Sequence, residues 1–190
     1  YYVMLQKNGD VYLTYGYDTP EVPLIRFIFR LSVLEEEMLS SDTLYSHRTK
    51  YIGDNSAVGN IIYNLYFPED MTYRQFALQT GSEPYEVTVT FSMSEEDKEA
   101  YSAEATGRIK EMNLLHRNAC IMFSLIENAG IINFKLIDET DEEKRPLTIV
   151  CTRQWALSET NCDLWHESKT NEQFEMLLIK LEELFPTDES

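Results

Sequence analysis

The sequence predicts an α+β fold, in which a mixed or mainly antiparallel sheet packs against a long central helix and a C-terminal helix, preceded by an N-terminal β-meander. Three stretches carry that expectation. Tyr85 to Met93 alternates strictly, with Tyr85, Val87, Val89, Phe91 and Met93 inward and Glu86, Thr88, Thr90 and Ser92 outward, toward water. Met112, Leu115, Ala119, Met122, Phe123 and Ile126 recur at helical spacing. Thr170 and Gln173 have the spacing of a capping box ahead of Phe174, Leu177, Leu178, Leu181 and Leu184.

In chain order, residues 1–34 read as the meander. Tyr2 to Gln6 and Val11 to Tyr17 flank Lys7-Asn8-Gly9-Asp10, whose Asn-Gly pair suits the positive φ values of a tight hairpin. Asp18 to Pro23 connects to Leu24–Leu34, with Phe27, Phe29 and Leu31 on one face and Arg26, Ile28 and Arg30 on the other. Two arginines on an aromatic strand suit a ligand face, but a sheet with one wet side is the preferred reading. Glu35 to Thr43 reads as a connection, and Leu44 to Ile52 as a strand.

Gly53-Asp54-Asn55-Ser56 offers helix-capping side chains, and Val58, Ile61, Ile62 and Leu65 follow on one helical stripe that Pro68 closes. Tyr73 to Thr80 is the next strand, and Gly81 to Pro84 turns the chain into Tyr85–Met93. Ser94 caps a helix with Glu95, Glu96 and Asp97 in its first turn, favoured by the helix dipole. That helix is expected to reach about Asn128, with room for a break near Thr106-Gly107 and Gly130 placed to end it. Ile131 to Ile137 and Leu147 to Thr152 pair around the charged loop Asp138–Arg145, and Arg153 to Glu167 is irregular or holds a short helix. The main domain is expected to span 44–185, with the meander separate from it or part of the same sheet.

Composition narrows the function classes. A chain of 190 residues, 43% hydrophobic and 12% aromatic, is globular in character. A net charge of −17 argues against nucleic acid and against an anionic membrane surface, both of which need a basic footprint. No apolar run has membrane-spanning length. The opening Tyr1-Tyr2-Val3-Met4-Leu5 reads as mid-strand, so a signal peptide, lipid anchor or membrane domain is expected ahead of it. Cys120, Cys151 and Cys162 are an odd number without Cys-x-x-Cys spacing, which indicates neither a disulfide framework nor a zinc site.

Candidate chemistry is sparse. Cys162, Asp163, His166 and Glu167 resemble half of a metal site, but His47 and His116 stand apart and supply no second half. Asp138, Asp141, Glu142 and Glu143 lack EF-hand spacing. Gly53 to Ser56 at a helix start suits an anion, except that the Asp54 carboxylate opposes one. No Gly-x-Ser-x-Gly elbow is present, and Cys120 falls within an apolar helical stretch. No metal, cofactor or catalytic residue is expected.

Four stretches together resemble a known family: Lys50-Tyr51-Ile52-Gly53-Asp54-Asn55-Ser56 with Val58-Gly59; Leu78-Gln79-Thr80 with Glu83-Pro84-Tyr85; Phe123-Ser124-Leu125-Ile126-Glu127-Asn128; and Thr152-Arg153-Gln154-Trp155. That family is an uncharacterised bacterial extracytoplasmic domain of unknown function, found in Firmicutes lipoproteins and at the C-terminus of BlaR-type membrane metallopeptidase regulators. The likeness covers roughly Leu44 to Leu184, and departs from the pattern at Tyr66-Phe67. It implies export, tethering at the outer membrane face, and a sensory or interaction role, and it assigns no catalytic residue.

The leading expectation is therefore a non-catalytic extracytoplasmic sensor or binding domain for a peptide, an envelope fragment or a membrane-protein partner. It meets the membrane only through a tether. Tyr51, Asp54, Asn55, Ser56, Arg153, Trp155 and Trp165 are the candidate ligand-binding residues, since polar and aromatic groups at element ends are where binding sites tend to sit. The alternatives are an envelope-acting hydrolase or metal-dependent enzyme using Asp163 and His166, and a domain that dimerises through an exposed strand of the meander.

Overall fold

A computed structural model of the chain describes residues 2–5, 11–14, 41–101, 108–138 and 145–187. Compact packing divides the chain into two units, Tyr1–Ser40 and Ser41–Ser190. In the first, β1 (Tyr2–Leu5) and β2 (Val11–Thr14) pair antiparallel, with Tyr2 opposite Thr14 and Leu5 opposite Val11. The expected turn at 7–10, the strand at 24–34 and most of the acidic connection lie outside the described residues.

The second unit has the predicted α+β architecture. Its four-stranded mixed sheet has the order β3-β4-β5-β6, formed by β3 (Thr72–Gln79), β4 (Tyr85–Ser92), β5 (Ala129–Ile137) and β6 (Leu147–Thr152). β3 and β4 form an antiparallel hairpin, as do β5 and β6, while β4 and β5 run parallel. A parallel pair needs a crossover. Here α3 (Glu95–Ala100) and α4 (Ile109–Leu125) provide it.

The core lies between one face of the sheet and the helices. Val87, Val89 and Phe91 of β4 and Ile132, Phe134 and Leu136 of β5 are fully buried. They meet Leu115, Ala119, Met122 and Phe123 of α4, with Val58, Ile61 and Ile62 of α2 (Asn55–Tyr63) and Phe174, Leu177 and Leu181 of α7 (Asn171–Leu184) in the same cluster. The last turns of α4 are buried all round, Asn118 and Ser124 included. A helix buried on every side is the centre of a domain, not its cover. Gly59 on α2 permits close approach to β3, since a Cβ there would lie 3.3 Å from the Phe76 ring.

Local signals hold where they were strongest. The Thr170 and Gln173 capping box is formed in both directions, at 3.3 and 3.2 Å. Ser94 accepts the Asp97 N–H at 3.1 Å, and Asp54 accepts the Ala57 N–H at 3.0 Å.

Four expectations are corrected. Residues 41–46 are helical (α1), and the expected strand over 44–52 is reduced to one bridge between Thr49 and Ile126. α1 is decided by distant contacts: Tyr45 packs its ring 5.8 Å from Phe174 and donates its hydroxyl to Lys169 O at 2.6 Å. The helical segment expected from Ser94, with its allowed break near Thr106-Gly107, is two helices, Glu95–Ala100 and Ile109–Leu125, and it ends at Leu125 instead of about Asn128, with residues 102–107 outside the description. Gly130 does not stop that helix but lies in β5, where a Cβ would come within 2.8 Å of the Pro84 Cβ.

The outward face of β4 is also drier than alternation suggests. Thr90 and Ser92 are each 7% exposed, because β4 is a central strand whose neighbours' side chains roof it. Arg74 Nε donates to Ser92 Oγ at 2.8 Å, and Asn133 Nδ2 donates to Glu86 Oε2 and Thr88 Oγ1. Finally, the 153–167 stretch resolves into α5 (Arg153–Thr160) and α6 (Leu164–Glu167), separated by a left-handed Asn161.

Candidate functional site

Arg153, the most suggestive polar candidate, starts α5 directly after β6 and turns inward. Its Nε donates to Ala129 O at 2.8 Å, Nη1 to Phe123 O at 3.2 Å and Nη2 to Ile126 O at 2.7 Å. The guanidinium also sits 5.0 Å from the Phe123 ring centroid. Burial lowers its pKa from the usual arginine value, while the charges of Asp163 and Glu127 oppose that shift. A helix leaves its last carbonyls without internal partners. Arg153 supplies donors for them at the end of α4.

The stretch before α2 docks on the same place. Thr49 N donates to Leu125 O at 2.8 Å, Glu127 N returns a bond to Thr49 O at 3.1 Å, and Ile52 N donates to Asn128 Oδ1 at 2.6 Å. Ser168 Oγ donates to Ser124 O at 2.7 Å. Thus three of the four stretches of the family likeness converge on the C-terminal turn of α4. What they build there is a joint.

The remaining candidates divide between interior and surface. Trp155 stacks on His116, centroids 4.7 Å apart, with Phe185 at 6.1 Å from the indole. Trp165 is buried beneath Arg48, whose guanidinium lies 3.1 Å from the ring centroid and whose Nη2 donates to Trp165 O at 2.9 Å. Asp54 is the N-cap of α2, and Asn55 and Ser56 are exposed in its first turn. Tyr51, 68% exposed, is the one aromatic candidate left standing free of the packed interior. The structure therefore brings these residues together through backbone, not as converging side chains around a ligand.

Asp163 and His166 do meet, Nδ1 to Oδ2 at 2.9 Å, but the carboxylate also caps α6 by accepting the Trp165 and His166 N–H groups. Burial raises its pKa, yet the bonds from His166, together with the charges of His166 and Arg153, outweigh this and hold it below the ordinary aspartate value. Among the described residues no three His, Cys, Asp or Glu side chains are grouped to hold a metal.

Two features escaped the sequence reading. Arg108 bridges Asp70 at 2.8 Å, Asp97 at 2.9 Å and Glu111 at 3.5 Å, and Tyr101 donates its hydroxyl to Asp70 at 3.0 Å. This network ties α3 to α4 beside a broad cleft of ≈ 620 Å³. The second is the edge strand β3. Its outer side has no further strand among the described residues, and Gln75, Ala77 and Gln79 are exposed. A bulge between Tyr73 and Gln75 and the charge of Arg74 guard one end only. Gln75-Phe76-Ala77-Leu78-Gln79 carries neither charge nor proline, the usual protections of an edge. The missing charges were visible in the sequence, whereas the edge position is a product of topology.

A family model described as a domain of unknown function, DUF4825, matches residues 44–148, just over half of the chain. The match ends before Thr152–Trp155 and the C-terminal helix. No curated protein and no solved structure matches the chain.

Arg153→Met is expected to lower unfolding free energy by about 3 kcal/mol or more, because it strips donors from three buried carbonyls. Arg153→Lys should recover less than half of that, since an ammonium cannot fork to all three. Denaturant titration of the three proteins reads this directly. His116 supplies a pH test. Burial lowers its folded pKa below 6.5, with Glu159 opposing. The native state then holds fewer protons than the unfolded chain, so stability falls as pH drops below about 6.5 toward the folded value. The slope of the melting temperature between pH 7 and 5 should flatten in His116→Phe, which keeps an aromatic ring against Trp155.

Proposed function

Since the chain belongs to the DUF4825 family of domains of unknown function, we propose that it is a non-catalytic recognition module that takes an extended polypeptide segment along β3. The open, uncharged run Gln75–Gln79 at the sheet edge is the observation that carries this reading. An edge strand offers unpaired backbone donors and acceptors in a row, and an added peptide completes the ladder. Exposed Tyr73, near the start of β3, offers an amphipathic ring on that edge strand.

The setting is the outer face of a bacterial membrane, where a tether or a membrane partner presents the domain. Support for this setting is the likeness to exported Firmicutes lipoproteins and to the C-terminal domains of BlaR-type regulators. Among the described residues no helix is long and apolar enough to cross a membrane. The bound segment belongs to an envelope peptide or a neighbouring membrane protein, and the charge of −17 favours a neutral or basic one. The polar residues of the family-like stretches serve the α4 joint in this reading, and no bond-making role is assigned to them.

A display library of extended peptides, read out by hydrogen exchange, tests the proposal. Binders should slow exchange of the β3 amides, and Gln75→Lys or Ala77→Lys should weaken them at least tenfold, about 1.4 kcal/mol, with the melting temperature unchanged. Binders that protect some other surface and ignore both lysines would refute it. A concentration-dependent dimer abolished by the same lysines would identify a second copy as the occupant of the edge.

A further inference from the structure

The three thiols differ in access. Cys120 and Cys151 are 0% and 1% exposed, and burial pushes both pKa values up, Cys151 to about 12. A thiol held protonated is a poor nucleophile. Cys162 is different. It lies between α5 and α6, is half-buried, and forms part of the wall of a recess of ≈ 180 Å³ with Leu157, Asp163 and Leu164. That recess admits a molecule as small as a peroxide.

Lys180, on α7, reaches across to this sulfur. Its Nζ lies 3.5 Å from Cys162 Sγ and is held there by donation to Thr160 O at 2.9 Å. The anchor comes from the end of α5, so the amine and the thiol are positioned by the same short connection. The free amine of Lys180 is a nucleophile within reach once the sulfur is oxidised.

We propose that Cys162 and Lys180 form an oxidation-dependent cross-link, in which a hydroperoxide converts the thiol to a sulfenic acid and the Lys180 amine condenses with it to a sulfenamide. In the first step the sulfur is oxidised and hydrogen peroxide is reduced: one oxygen passes to sulfur and one molecule of water leaves. In the second, the ammonium having released a proton to solvent, the amine nitrogen attacks sulfur, the S–O bond breaks and a second water departs. The balance is thiol plus amine plus one peroxide, giving the S–N bond and two waters. Two equivalents of an added thiol reverse it, returning the thiol and the amine with one disulfide of the reductant. The closed bond ties α7 to the α5–α6 connection.

Treating the protein with hydrogen peroxide and recording intact mass and peptide maps without reductant tests this. The expected product has lost two hydrogens, links the peptides holding Cys162 and Lys180, and disappears with dithiothreitol. Cys162→Ser and Lys180→Arg should each abolish it, and in Lys180→Arg a dimedone probe should label Cys162 instead. The proposal is overturned if the two-hydrogen loss survives in Lys180→Arg, which marks a disulfide to another cysteine. Added oxygens on Cys162 with Lys180 untouched, or no mass change in excess peroxide, overturn it equally.

Discussion

The end of α4 is the constraint on which the rest of the second unit depends. A buried helix terminus exposes carbonyls that need donors from elsewhere. In this protein Phe123 O and Ile126 O take Arg153, Ser124 O takes Ser168, and Leu125 O takes Thr49. Those donors come from the segment before α2, the start of α5 and the end of α6. Each bond fixes one segment against the central helix, so one local deficit in α4 sets the positions of three other parts of the chain. Arg153 adds Ala129 O, and with it the first residue of β5.

This accounts for why the family-like stretches look functional in the sequence yet assemble no reactive cluster. Arg153, Asn128 and Thr49 are polar residues at element ends, the pattern that also marks binding sites. Their partners here are main-chain atoms. The two tryptophan candidates are likewise occupied, Trp155 in a stack with His116 and Phe185, and Trp165 beneath Arg48. Recognition in the proposed reading falls instead to β3, which the joint holds only indirectly.

What was legible in the sequence was periodic or local. β4 and the α7 capping box need no knowledge of the remainder of the chain, because alternation and a three-residue capping spacing are set within a few residues. The cap at Asp54 belongs to the same class. α1 was not legible: six residues carry too little period, and Phe174 and Lys169 decide their conformation from more than a hundred residues away. The donors of Arg153 escaped because backbone carbonyls leave no mark in a sequence. The dryness of Thr90 and Ser92 followed from strand order, which alternation alone does not give. Of the candidate residues, Tyr51, Asp54, Asn55 and Ser56 stand on the surface, and the edge of β3 was read as a strand but not as a surface.

The sheet is best seen as two antiparallel hairpins joined along a parallel seam between β4 and β5. The two kinds of contact differ in sequence separation. Each hairpin joins neighbours in the chain, whereas the seam joins strands separated by the whole of α3 and α4. Closing a long loop carries its entropy cost before its contacts return any stability. The hairpins can therefore close early, and the seam waits for α4 to dock. On such a route the β3–β4 hairpin has two edges before the seam forms, one of which β5 then closes, while the outer edge of β3 has no further strand among the described residues. Nascent chains are thus most prone to pairing with one another during the interval before α4 arrives.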